Sequence, residues 1–374
     1  MTEKYQRLAQ FALQETAVAG ILRSFHTYQI PVIALKGLAL LDRLYPQPGQ
    51  RSMYDVDLLV HQTDLVRAES ILQSSGYSFS NEGLALSSAF QREFMSEVVY
   101  REGAMVVELH QHLVAMSWFR ATTAFDLDGL WARAVPAEIA GAPALRLCPE
   151  DEVIHLCYHT AVHHGLAHPH GYRDILGVLR VERDTLDWPT LAERARAWRV
   201  SIAVWAALKV ARDRMQEAGS KRQDARGKNH ESRIMNQGAG NEHQVTGNSQ
   251  LVTRDSQFAT RNSHHEEELI PEAALDALRV PRWRQRLLRP FVRRAMSGEA
   301  ALVSGTMRFL GVLLVDRVRD LPGVVLRGLF PGRRWLQLRY DLSPRQAFWR
   351  QFTYPLQVLA RGIGVLLRSV IRHS

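Results

Sequence analysis

Val32-Ile33-Ala34-Leu35-Lys36-Gly37 and, after a short gap, Asp55-Val56-Asp57-Leu58-Leu59-Val60 are the segments whose reading decides the fold. Between them, residues 38–48 are apolar at helical spacing and are then broken by Pro46 and Pro48. The whole stretch therefore predicts strand, glycine turn, short helix, loop, strand. Side chains alternate between the faces of a strand, so Asp55 and Asp57 are expected on one side, with Val56 and Leu58 on the other. Two carboxylates that close stay ionised cheaply only with a cation between them, and hard oxygen ligands suit Mg²⁺. One reading is a magnesium-phosphate site. The other is a strand entered through a turn, with Asp55 capping the loop and Asp57 solvated at an edge.

Working outward, residues 3–29 carry Leu8, Phe11, Ile21, Leu22 and Phe25 at helical spacing, an amphipathic helix ending before Pro31. Residues 64–75 predict a second helix stopped by Gly76, and residues 77–79 a short strand. Residues 90–100 fit strand or helix equally. Residues 103–113 alternate and are rich in strand formers, which places Glu108 and His110 on one face. A third carboxylate thus arrives from a separate strand. In phosphoryl or nucleotidyl transfer two carboxylates anchor metal, while a third completes the coordination or takes the proton of the attacking hydroxyl.

This arrangement resembles the nucleotidyltransferase superfamily. More narrowly, Leu35-Lys36-Gly37, Leu44-Tyr45, Arg51, Asp55-Val56-Asp57, Gly76-Tyr77 and Val107-Glu108-Leu109-His110 resemble the family catalogued as uncharacterised bacterial nucleotidyltransferases. The resemblance covers residues 1–215, with a weaker echo at Leu329-Phe330-Pro331 and Arg339-Tyr340. It implies an α+β fold, a nucleotidyltransferase-like mixed β-sheet core with flanking helices followed by a helical domain. It further implies Asp55, Asp57 and Glu108 as the catalytic, metal-binding carboxylates, Mg²⁺ as cofactor, and a nucleoside triphosphate such as ATP and a hydroxyl acceptor as substrates. Lys36, Gly37, Arg51 and His110 are the candidate substrate-binding residues. Lys36 and Arg51 would contact phosphate, one as a point charge and one as a planar fork; salt bridges to the neighbouring aspartates are the alternative. Two features depart from the superfamily: Lys36-Gly37 stands where Gly-Ser is usual, and Glu108 where Asp is. The absent serine supports a second reading, a non-catalytic nucleotide- or partner-binding protein on the same scaffold.

At 374 residues the chain is long enough for two or three domains. Its two cysteines offer no disulfide framework. Residues 1–7 lack the apolar core of a signal peptide, and the longest apolar runs, such as residues 309–315, are short of the roughly 18 residues a spanning helix needs. These features predict a cytoplasmic protein. Residues 1–147 are expected to form the nucleotidyltransferase-like core and 148–216 the helical domain. In the latter, His155, His159 and His163 fall at i, i+4 and i+8. That stripe suits a transition metal, or the lining of a cleft with hydrogen bonds to carboxylates such as Asp174. No adjacent His-Asp pair occurs, which weighs against a phosphohydrolase of that type. Residues 217–268 are too polar to offset their ordering entropy and are expected to be a disordered insertion.

Residues 269–374 form an arginine-rich helical region. From residue 279 onward the chain has 19 arginines, no lysine and four acids, a local balance of +15 that leaves −6 for the rest. Arginine beside apolar faces suits an anionic membrane surface, as a peripheral contact at the inner face. A nucleic-acid groove gives the same charge count, and so do solvated ridges on packed helices.

Overall fold

The computed structural model describes residues 3–45, 47, 55–81, 86–115, 117–237, 269–297 and 310–371. Helix α1 (Glu3–Thr27) buries Val18, Ile21, Leu22 and Phe25, which recur three and four apart. It ends in a Schellman turn. Gln29 takes a left-handed φ of 56°, its N–H donates to the His26 carbonyl, and the Ile30 N–H donates to that of Phe25. Pro31 then starts the extended chain. Strands β1 (Val32–Ala34), β2 (Val56–Val60), β3 (Ser78–Phe79), β4 (Glu97–Glu102), β5 (Met105–His110), β6 (Val135–Ile139) and β7 (Ala142–Arg146) form one mixed sheet in the order β3-β4-β5-β2-β1-β7-β6. β2 runs parallel to β5 and antiparallel to β1, which in turn is parallel to β7.

Helices α2 (Lys36–Leu44) and α3 (Leu65–Ser74) flank the sheet. On one face Val56, Leu58, Val60, Val107 and Leu109 pack with Phe25 and Leu72 from α1 and α3. On the other, Ile33 and Leu59 join a larger core with the helical half of the chain. Asp57, in register between Val56 and Leu58, projects to this second face.

The loosely placed residues 90–100 resolve into a short helix Ser88–Phe90, a π-helical turn Gln91–Met95, and β4. The β6-β7 hairpin is not legible from alternation. Its turn, Ala140-Gly141, has positive φ at both positions (51° and 69°), the type I′ geometry that matches strand twist, and Pro136 is tolerated because β6 is an edge strand.

The helical half begins with α4 (Leu127–Arg133), which precedes the hairpin, and continues through α5 (Pro149–Tyr158), α6 (Pro169–Val181), α7 (Trp188–Ala197) and α8 (Ser201–Gln237). α8 buries Ile202, Val204, Leu208 and Val210, so it is enclosed on all sides at its start. It also runs on for 21 residues into the polar stretch that begins at 217; the rest of that expected insertion, residues 238–268, lies outside the described residues.

After the gap come α9 (Glu272–Ala277), α10 (Arg282–Met296), α11 (Leu321–Leu329), α12 (Arg333–Tyr340) and α13 (Pro344–Ile371). Leu275, Leu278, Leu288, Val292 and Leu310 belong to the same core as α5 to α8, so the apolar packing runs without a break across residues 147–211 and 269–314. Not every C-terminal arginine is solvated: Arg284 is buried and donates to the carbonyls of Leu313 and Val315. Among the described residues no helix is long and apolar enough to cross a membrane.

Candidate active site

Lys36 opens α2 directly after β1, with a left-handed φ of 49° that a non-glycine residue adopts only when its surroundings enforce it. Two bonds do so. The Leu35 N–H donates to the Asp57 carbonyl at 3.0 Å, and the Lys36 ammonium donates to Asp57 Oδ1 at 2.5 Å. Parallel pairing of β2 with β5 puts Asp57 opposite Glu108 and Leu59 opposite His110. Glu108 and His110, two apart on β5, therefore reach the same face as Asp57. His110 Nε2 lies 2.9 Å from Asp57 Oδ1 and 3.4 Å from Glu108 Oε2, while Lys36 Nζ stands 3.9 Å from Glu108 Oε2. β4 adds Glu97, paired with His110 across the antiparallel ladder, its Oε2 3.6 Å from His110 Nδ1.

The charges in this cluster explain one another. Burial pushes the Asp57 carboxyl up, but the Lys36 ammonium and the hydrogen bond from His110 outweigh it and hold Asp57 well below the usual carboxylate range. Burial likewise works against the Lys36 cation, yet Asp57 and Glu108 raise its pKa above the ordinary value. His110 is pushed up to about 9: burial opposes its charge, and hydrogen bonds to Asp57 and Glu108 overcome that. Glu97, by contrast, is raised to about 7 by burial, which the His110 charge only partly relieves.

Of the expected residues, the fold brings together Lys36, Asp57, Glu108 and His110. Gly37 follows Lys36 in the first turn of α2 and is buried. Asp55 precedes β2 by one residue, is exposed, and stands outside the converging group. Its charge still acts on Lys36. Arg51 lies outside the described residues. Asp57, Glu108 and His110 each present one donor atom, all within 4.8 Å of one another. Two carboxylates at one register with an imidazole between them fit a divalent cation by donor chemistry. Glu97 is the member that spacing does not reveal; the signal for it is the cross-strand partner of His110, which needs the β4-β5 register.

The histidine stripe faces this cluster from the helical half. α5 passes into a π-helical turn over His159–His163, whose wider pitch brings both His163 and His164 against His159. The His159 and His163 rings stack at 4.7 Å, and His159 Nε2 lies 3.0 Å from His164 Nε2. Burial lowers all four imidazoles, and the Lys36 charge lowers them further; His155 and His164 fall to about 3. Asp174, on the neighbouring helix α6, accepts the Tyr45 hydroxyl at 2.6 Å.

The sequence pattern of a family described as "Uncharacterised nucleotidyltransferase" matches residues 1–216, more than half of the chain and the whole of the sheet that carries the site. The chain belongs to this family. As a nucleotidyltransferase it is an enzyme of nucleotidyl transfer, with a nucleotide and an acceptor as substrates. No curated protein matches it. Two solved structures of the antibiotic-resistance factor ANT(2'')-Ia are similar to the nucleotidyltransferase at 16% identity over 50% of its length. The solution structure is covered to 91% with a TM-score of 0.35; the crystal structure in complex with adenylyl-2''-tobramycin is covered to 97% with a TM-score of 0.34.

Proposed function

We propose that the chain is a Mg²⁺-dependent nucleotidyltransferase that moves a nucleoside monophosphate from a nucleoside triphosphate to a hydroxyl of an acceptor. The observation that carries this reading is the placement of Asp57 and Glu108 side by side on parallel β2 and β5, with the Lys36 ammonium against both. Mg²⁺ held by Asp57 and Glu108 would supply a Lewis acid for the triphosphate oxygens. Lys36 adds a fixed cation beside the same position, and Arg51 is proposed as a second phosphate ligand. α2 opens at Leu35, which has no side-chain acceptor to cap the first-turn N–H groups, so these are available to a phosphate. In the reaction the acceptor oxygen bonds to the α-phosphorus, the bond to the bridging oxygen breaks, and pyrophosphate leaves. The hydroxyl proton passes to Glu108, the more exposed of the two carboxylates.

The 2.5 Å Lys36–Asp57 pair already neutralises a carboxylate that a metal would need, so Mg²⁺ is expected to compete with Lys36 for Asp57. Calorimetry with Mg²⁺ and each triphosphate, ATP included, tests the site. Asp57→Asn and Glu108→Gln are expected to weaken binding at least tenfold, and unchanged binding in both would remove these residues from it. Pyrophosphate release in the presence of fractionated cell extract tests the reaction itself, and its absence with every triphosphate would overturn the proposed transfer.

A further inference from the structure

α13 is 28 residues long, and over residues 344–360 it packs on the rest of the protein along one face. Ala347 and Tyr354 pack with Trp335 and Leu336 of α12 in a small satellite core. On the opposite side Trp349, Phe352, Leu356 and Leu359 are 63%, 58%, 67% and 52% exposed. Their spacing of three, four and three residues makes a single apolar ridge. The sequence continues that spacing at Ile363, Leu366 and Val370, and the helix backbone continues with it to Ile371. α11, which contacts α13, carries exposed Leu326 and is followed by exposed Phe330. Exposed large apolar side chains in such a row mark a surface that something covers.

We infer that this face docks on an anionic membrane surface, with α13 lying in the plane of the interface. Charge selects the occupant. Between residues 321 and 374 the sequence has nine arginines, a single acid at Asp341 and no lysine. A second copy of the chain would bring two such segments together with almost no acid to offset them, whereas anionic headgroups complement them. Among the described residues no helix is long and apolar enough to cross a bilayer, and α13 has the length of helices that lie at one. Trp349 and Phe352 are residue types that settle at the headgroup boundary. Apolar area and positive charge then act together: the arginines draw the chain to the surface and the ridge inserts.

The test is co-sedimentation of the full chain with phosphatidylcholine vesicles, with and without phosphatidylglycerol, over a salt series. Binding is expected only with the anionic lipid, falling as salt rises. The variant Trp349→Ser/Phe352→Ser/Leu356→Ser is expected to lose at least tenfold in binding with an unchanged melting temperature, because these side chains are exposed. Arg327→Gln/Arg345→Gln is expected to weaken binding and flatten its salt dependence. On anionic vesicles, tryptophan emission is expected to shift to the blue in the parent and less so in Trp349→Phe. Three outcomes overturn the inference. One is the absence of binding at low salt, or equal binding to neutral vesicles. Another is a parent that sediments as a dimer which the triple substitution dissociates, giving the face to a second copy. The third is vesicle binding that survives the triple substitution but is displaced by a duplex oligonucleotide, giving the arginines to nucleic acid.

Discussion

Lys36 is held by a carboxylate cluster and in turn neutralises it. Its ammonium is mostly buried against Asp57, whose own side chain is almost wholly enclosed. Removing one member of such a pair leaves the other charge uncompensated, which costs far more than the net worth of the pair. Lys36→Met is therefore expected to destabilise the protein by about 3–5 kcal/mol, read as a shift of the urea midpoint. Lys36→Met/Asp57→Asn should recover much of the loss, because the second change removes the stranded charge. If Lys36→Met melts like the parent, Asp57 is solvated or neutral in the fold and the electrostatic account of the cluster fails. Lys36→Arg is not a conservative change here, since a planar fork cannot reproduce the short contact of a point donor.

Among the elements, α8 shows how the C-terminal region supports the family's matched segment. Its first two amides, Ser201 and Ile202, donate to the two carboxylate oxygens of Asp316 at 2.9 Å each. A carboxylate at a helix N-terminus satisfies orphan donors and meets the positive end of the dipole. Asp316 sits in a loop tied down by buried Arg284, so the cap is presented from a fixed position. Asp316→Ala is expected to cost about 1–2 kcal/mol and to speed amide exchange at Ser201 and Ile202. Asp316→Asn, which keeps one acceptor, should cost less. Exchange that remains at the parent rate in Asp316→Ala would show that packing alone holds that end of α8.

For the whole molecule, the sheet and the helical half meet at a wall of neutral histidines, and this contributes to the response to acid. His155 and His164 have their pKa lowered from 6.5 to about 3, and His159 and His163 are lowered in the same way. Between those limits the unfolded chain binds protons that the folded chain refuses. The stability tied to these four histidines is then complete above about 6.5 and is lost as pH falls towards 3. Glu97 and Glu152, both raised to about 7, act in the opposite sense: they disfavour the fold at neutral pH, and that cost is relieved on acidification. His112, lowered to about 4, acts with these imidazoles, and Asp151 and Asp316, also raised by burial, act with the two glutamates. The histidine contribution is therefore read by difference: between pH 6.5 and pH 5 the melting temperature of His155→Leu is expected to fall less, or rise more, than that of the parent. Parallel pH profiles for the two would mean that His155 is hydrated in the fold.

Local periodicity was enough to find α1, the Lys36-Gly37 opening, β2 and β5, because spacing along a single segment reports which side chains share a face. It was also enough to nominate Asp57, Glu108 and His110. It could not decide that Asp57 faces Glu108 at equal register, which depends on parallel pairing between segments 51 residues apart. Nor could it separate Asp55 from Asp57, because the strand begins one residue later than alternation implied, and only the second is drawn under the helical half. Glu97 entered the site through the β4-β5 register, and the ring contacts of His159 through a π-helical turn that shifts the i, i+4 stripe. Asp316 caps amides 114 and 115 residues away. Each of these outcomes rests on contacts between distant segments, whose energies outweigh local preference and leave no periodic trace in either segment alone.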